Sequence, residues 1–157
     1  MHPHQMYSQP VAYLITFTTR GTRLHGSPKG SVNRNGQYIP VNPQWEHYDA
    51  SNMKHAPVVL SDEQQIIVRD AIGYYCASQD WYIHAIEVLS NHVHIVVTAR
   101  KIKPENISSA LKAVASRMLH KHGGISQDTK IWTRNASERY LFDEEELKNA
   151  IYYVKHQ

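Results

Sequence analysis

Hydrophobic and polar positions divide the chain into a short series of elements. Residues 11–19, VAYLITFTT, alternate and are β-branched or aromatic, which predicts a strand. Residues 20–57 have little periodicity and several glycines, prolines and asparagines, so they read as a long ordered loop insertion with short elements. Ser61 and Gln64 have capping-box spacing, and Ile67, Ala71, Ile72 and Tyr75 recur at helical spacing, which predicts a helix to about Ser78. Residues 81–88 and 92–98 read as two strands joined by a turn at Leu89-Ser90-Asn91. Pro104 suits a first helical turn, and Ile107, Leu111, Val114 and Met118 make the stripe of a helix that stops before Gly123-Gly124. Residues 125–137 read as polar loop, and 138–142 as a short final strand. Asp143 then caps a last helix with Glu146 three positions on, and Phe142 with Leu147 has staple spacing.

The first six elements follow a split βαββαβ order. This predicts an α+β, ferredoxin-like fold with an antiparallel sheet, a long insertion after the first strand and an extra C-terminal helix. Both internal helices would pack on one sheet face and leave the other open. The 157 residues fit a single domain spanning 1–157. One cysteine excludes an internal disulfide framework and suits a reducing cytoplasm. No apolar run approaches the roughly 20 residues of a membrane span, and MHPHQMYSQP has no charged stretch leading into an apolar one, so neither a membrane role nor a secretory signal is expected. A net charge of +3 is compatible with nucleic acid without requiring it.

The 11 histidines and 10 tyrosines matter through their positions. On a strand, His92 and His94 share one face while Val93, Ile95 and Val97 share the other, so the imidazoles should sit on the open face roughly 6–7 Å apart. Two such rings can converge on one divalent ion, although a surface histidine pair is the plainer reading. Histidine-triad hydrolases are excluded because position 96 is Val, and two-histidine phosphoesterases because no His-x-Thr pair occurs. On the last helix, Leu147, Ala150, Ile151 and Val154 form the buried stripe. Tyr153 and Gln157 lie about 110° and 70° from its centre, one above the other at the edge of the core. That placement suits a nucleophile beside a ligand, or simply a boundary tyrosine. Tyr152 and His156 form a rival pair four residues apart that points more directly to solvent. Trp132, Arg134 and Arg139 could stack on a base and grip phosphates, while a buried indole and solvated arginines are the alternative.

Together these residues resemble the single-tyrosine HUH transposases, small enzymes of bacterial insertion sequences that move as single-stranded DNA, and their relatives associated with repetitive palindromic elements. The likeness runs from Ala12 to the C-terminus. It is strongest in SNHVHIVV at 90–97, WTRNASERYL at 132–141 and YVKHQ at 153–157, with TTRGTRLHG at 18–26 resembling one subgroup. The resemblance implies that His92 and His94 are metal ligands, that Tyr153 is the nucleophile and that Gln157 supplies a third ligand. It thereby favours Tyr153 over Tyr152. It also implies a metal-dependent transposase that nicks and rejoins DNA through a 5′-phosphotyrosine intermediate, using Mg²⁺ or Mn²⁺ and no organic cofactor. Single-stranded or hairpin DNA is the expected substrate, with Trp132, Arg134 and Arg139 and the long 20–57 insertion as the candidates for holding it. A homodimer is expected, with the tyrosine helix serving either its own or its partner's site. A domesticated DNA-binding protein on the same fold, without transposition, is the alternative.

Overall fold

The computed structural model describes residues 9–22, 30–32, 38–40 and 56–157. The element order is β1 (Ala12–Thr19), β2 (Gly30–Val32), β3 (Tyr38–Pro40), α1 (Asp62–Ser78), β4 (Tyr82–Val88), β5 (His92–Thr98), α2 (Pro104–His122), β6 (Trp132–Leu141) and α3 (Glu144–Lys155). Four strands form one sheet in the order β4-β5-β1-β6, each pair antiparallel. The strand order and the intervening helices are those of the expected α+β, split βαββαβ arrangement. Among the described residues no helix is long and apolar enough to cross a membrane.

The alternation of β1 and β5 sorts two cores. Ile15, Phe17, Val93, Ile95 and Val97 face α1 and α2, joined by Val68, Ile72, Ile107, Leu111 and Leu119. Leu14 and Val96 face the opposite way and pack with Ala12, Ala85 and Leu141 under Ala150 and Val154 of α3. The second sheet face is therefore not left open. The amphipathic last helix lies across β4 and β5 and covers part of it.

Ser61 caps α1 with the expected capping box: its hydroxyl accepts from the Gln64 amide, and the Gln64 side chain accepts from the Ser61 amide. The buried stripe of α1 is Val68, Ala71, Ile72 and Cys76, with Ile67 and Tyr75 at its margin. In α2 the fully buried positions are Ile107, Leu111, Ala115 and Leu119, rather than a stripe through Val114 and Met118, which are only half-buried. The i+4 series places a small alanine at the centre of the contact, and the helix turns that edge toward the core.

The final strand is twice the expected length. It starts at Trp132, not at 138, so only 125–131 remain outside it. Among the described residues it is an edge strand paired with β1 alone, and its register shifts between Phe17 and Thr19. Exposed polar residues and that irregularity hide the period-2 pattern in the sequence.

The insertion at 20–57 contains the antiparallel pair β2–β3, and the rest of it lies outside the described residues. Its two ends are clamped together. The Val58 amide donates to the Arg20 carbonyl at 2.9 Å, Arg20 Nη2 donates to the Ala56 carbonyl at 2.7 Å, and the Thr19 hydroxyl donates to the Val58 carbonyl at 2.7 Å. Gly21, at φ +93°, makes the turn. A side chain there would bring a Cβ within 2.5 Å of Pro57 Cβ.

Helix α3 begins two residues after β6. The Asp143 carboxylate accepts from the Glu146 amide at 2.8 Å, and the Glu146 carboxylate accepts from the Phe142 amide at 2.9 Å. Glu146 thus reaches one residue beyond the cap rather than to the cap itself. Asp143→Ala should remove about 1 kcal/mol of stability, read as a lowered denaturation midpoint at constant slope; an unchanged midpoint would show that the cap is idle.

Candidate active site

β5 runs through the middle of the sheet, and its first and third residues are His92 and His94. Their Cα partners on β1 are Thr18 and Thr16. The two imidazoles meet edge to face, with ring centroids 4.6 Å apart and an interplanar angle of 77°. This is closer than the along-strand spacing because the rings tilt toward each other. Each ring is held by its Nδ1. His94 Nδ1 lies 2.8 Å from the Thr16 hydroxyl, and His92 Nδ1 donates to the Asn91 side-chain oxygen at 2.6 Å. Neither Nε2 hydrogen-bonds to any described residue. Metal-binding histidines are commonly oriented in this way, by a partner on the other nitrogen.

His94 is only 5% exposed. Burial, with a smaller contribution from the charge of His92, pushes its pKa from 6.5 down to about 4. Burial also lowers His92. Both rings are therefore neutral near pH 7, the state a metal ligand requires. The folded pKa of His94 lies below the 6.5 of the unfolded chain, so the unfolded state binds more protons between those values. This contribution to stability is present in full above about pH 6.5 and is lost as pH falls toward 4. The Tm of the metal-free protein should drop across that window, and His94→Gln should flatten the drop. A Tm that stays level in the parent protein would contradict a buried neutral imidazole.

Helix α3 brings a phenol to this pair. With Ala150 and Val154 seated on the sheet, Tyr153 emerges at the helix flank. Its ring meets His94 edge to face at 5.5 Å and 77°, while the residue stays 48% exposed. Gln157 stands one turn on, but its amide donates to the Tyr153 carbonyl at 2.8 Å and makes no hydrogen bond to either imidazole. The rival pair turns on itself. Tyr152 and His156 stack at 3.8 Å, His156 Nδ1 donates to the Tyr152 carbonyl, and Tyr152 is 66% exposed. Of the two tyrosines, only Tyr153 is packed against the histidine pair.

The expected nucleic-acid contacts separate. Trp132 is 4% exposed and packs edge to face on Phe17 at 4.9 Å, so its ring belongs to the core and presents no surface for a base. The register shift beside Thr19 turns this first residue of β6 inward. Arg134 and Arg139 are exposed. Arg139 pairs with Leu14, which places it on the sheet face that carries His94. Lys112 of α2 is not a solvated cation: its ammonium donates to the carbonyls of Thr133, Arg134 and Asn135 and braces the irregular start of β6.

Thr16, Asn91 and Glu87 were not singled out from the sequence. Thr16 was readable in retrospect from the alternation of β1, and Asn91 from its place beside His92. Glu87 pairs with His94 across β4 and β5 and shares its face, which only the register reveals. No group of three histidine, cysteine, aspartate or glutamate side chains among the described residues could hold a metal ion. Among the described residues, a metal held by the two imidazoles would take its third donor from a group of another type, such as an amide.

Comparison with known proteins places this geometry in context. A family model described as "Transposase IS200 like" matches residues 52–157. A search of curated proteins finds no match. Among solved structures, a candidate transposase from Deinococcus radiodurans R1 superposes with a TM-score of 0.56 at 15% identity, covering 100% of this chain and 98% of that one. A REP-associated tyrosine transposase bound to a REP hairpin gives a TM-score of 0.49 at 15% identity, over 98% of this chain and 70% of that one. The first of these likenesses shows a shared fold.

Proposed function

The chain belongs to the IS200-like transposase family, and from that premise we propose that it is a metal-dependent transposase acting on single-stranded or hairpin DNA as one catalytic domain, through a 5′-phosphotyrosine link at Tyr153. The observation that carries this reading is the packing of Tyr153 on His94 of its own chain, beside two imidazoles whose Nδ1 atoms are already engaged.

The residues fit a divalent ion. His92 and His94 would hold Mg²⁺ or Mn²⁺ through Nε2, with the Gln157 side-chain oxygen as third donor once its amide leaves the Tyr153 carbonyl. When bound, the ion neutralises charge on a phosphoryl oxygen. Thr16 and Asn91 fix the imidazole orientations. The seat of Val154 and Ala150 fixes the helix, and so the line along which Tyr153 approaches a phosphate. The phenolic oxygen attacks phosphorus and its proton leaves to solvent, to which Tyr153 is half open. The bond from phosphorus to the 3′ oxygen breaks, and that oxygen takes a proton. The phosphotyrosine bond conserves the energy of the broken ester, so a second 3′-OH can reverse the step without ATP. Arg139, on the face that carries His94, is suited to hold a phosphate of the same strand.

The test is to incubate the protein with pooled single-stranded DNA hairpins and Mn²⁺, then run denaturing gels and peptide mass spectrometry. A DNA-linked peptide containing Tyr153 is expected. DNA binding without any adduct would favour the domesticated DNA-binding reading instead.

A further inference from the structure

The hydroxyl protons of the two central strands single out one side chain. The hydroxyl residues of β1 and β5 are Tyr13, Thr16, Thr18, Thr19 and Thr98. Tyr13 donates to the Ile102 carbonyl at 3.1 Å, Thr18 to the Thr22 carbonyl at 3.3 Å, Thr19 to the Val58 carbonyl at 2.7 Å and Thr98 to the Val11 carbonyl at 2.7 Å. Thr16 has no carbonyl for its proton. Among the described residues its side chain meets His94 Nδ1, at 2.8 Å, and makes no other hydrogen bond.

A hydroxyl has one proton to give and two lone pairs to accept with. Which of these meets His94 depends on the tautomer of the ring, which is neutral in either form. With the ring proton on Nε2, Nδ1 accepts and Thr16 spends its proton there. With Nε2 committed to a metal ion, Nδ1 must carry the ring proton. Nδ1 then donates, the Thr16 oxygen accepts, and the Thr16 proton is left without a protein acceptor among the described residues. His92 differs, because the Asn91 oxygen beside its Nδ1 can only accept.

That proton lies at the site. Thr16 is the one residue of β1 that is not buried. It stands in a cross-strand row between His94 and the exposed Ser137. From α3, Tyr153 meets the same imidazole edge to face at 5.5 Å. The phenol and the hydroxyl therefore flank one ring. An anionic oxygen held over that ring is the strongest acceptor available to the unused proton.

We infer that Thr16 is a substrate contact: once His94 Nε2 holds the divalent ion, the Thr16 hydroxyl donates to a non-bridging oxygen of the phosphate that Tyr153 attacks. The inference rests on the proposed function. Its test separates this contact from mere support of His94. Thr16→Val removes the hydroxyl and keeps the β-branch, and Thr16→Ser keeps the hydroxyl; circular dichroism checks both folds. Mn²⁺ affinity without DNA, read by electron paramagnetic resonance, should fall about 10–100-fold in Thr16→Val, as for loss of an orienting partner, and about threefold at most in Thr16→Ser. Adduct formation on pooled hairpins is then compared at Mn²⁺ concentrations that saturate each variant. Thr16→Val should stay about a hundredfold slower than the parent, the loss expected for one donor to a reacting oxygen, and Thr16→Ser should come within about threefold of it.

A Thr16→Val rate that matches the parent once Mn²⁺ saturates would overturn the inference, because Thr16 would then only orient His94. So would a Thr16→Ser rate as low as that of Thr16→Val. A further arm needs no variant. In long-range ¹H–¹⁵N NMR of the parent chain saturated with Mg²⁺, His94 should carry its proton on Nδ1. A proton on Nε2 would leave the hydroxyl spent on the ring and would also overturn the inference. A parent chain that forms no adduct at all would instead defeat the proposed function, and the inference with it.

Discussion

Tyr153→Phe is expected to abolish the covalent DNA adduct, a loss on the order of a thousandfold or more in strand cleavage, while DNA affinity changes by less than about twofold. The substitution deletes one oxygen. The ring stays, and with it the edge contact to His94 at 5.5 Å and the seating of α3 on Ala150 and Val154. Tyr152→Phe is the matched control. That residue stacks on His156 at 3.8 Å and makes no contact with the histidine pair, so its loss should leave adduct yield close to the parent value. The two variants differ only in which of two adjacent phenols is removed, and a denaturing gel separates them in one experiment. If Tyr152→Phe eliminates the adduct and Tyr153→Phe does not, the nucleophile is misassigned and α3 must turn before reaction.

The second large effect concerns which chain supplies the tyrosine. His94→Ala removes a buried imidazole at the centre of the site. Metal-dependent cleavage should fall by more than the 10–100-fold typical of losing an outer hydrogen-bond partner of a ligand. When this variant is mixed with Tyr153→Phe, activity should stay at the sum of the two. Only two residues, Phe142 and Asp143, join β6 to α3, and both are tied to Glu146. Exchanging α3 with a second molecule would have to open this short join, while the contacts of Ala150 and Val154 with Leu14 and Val96 would be re-formed on the partner. With so short a join, the expected outcome is that the phenol comes from the same chain as the histidines. Adduct recovered in the mixture, above either variant alone, would show that the helix exchanges.

The histidine pair and the tyrosine helix were legible in the sequence because each depends on one local period. Alternation puts His92 and His94 on one face, and the 3.6-residue repeat puts Tyr153 on a flank once Ala150 and Val154 are buried. The caps at Ser61 and Asp143 were legible for the same reason. What failed depends on contacts distant in sequence. Trp132 looked like a surface ring because its neighbours are polar, yet a register shift against Thr19 turns it onto Phe17. The stripe of α2 was misjudged by one position because Ala115, rather than the larger Val114, meets the core. Glu87 enters the site only through pairing across strands, which no local pattern encodes.

The clamp at Thr19–Gly21 and Ala56–Val58 has a consequence for how such a protein can diversify. The sheet meets the long segment after β1 at two adjoining posts, held by backbone bonds and by the close approach of Gly21 to Pro57. Whatever is strung between them, doubling or halving its length changes the closure free energy by only about 0.6 kcal/mol. The segment is therefore a graft point. A lineage, or an engineer, can exchange it for another segment while the histidines, the tyrosine helix and their spacing stay as they are.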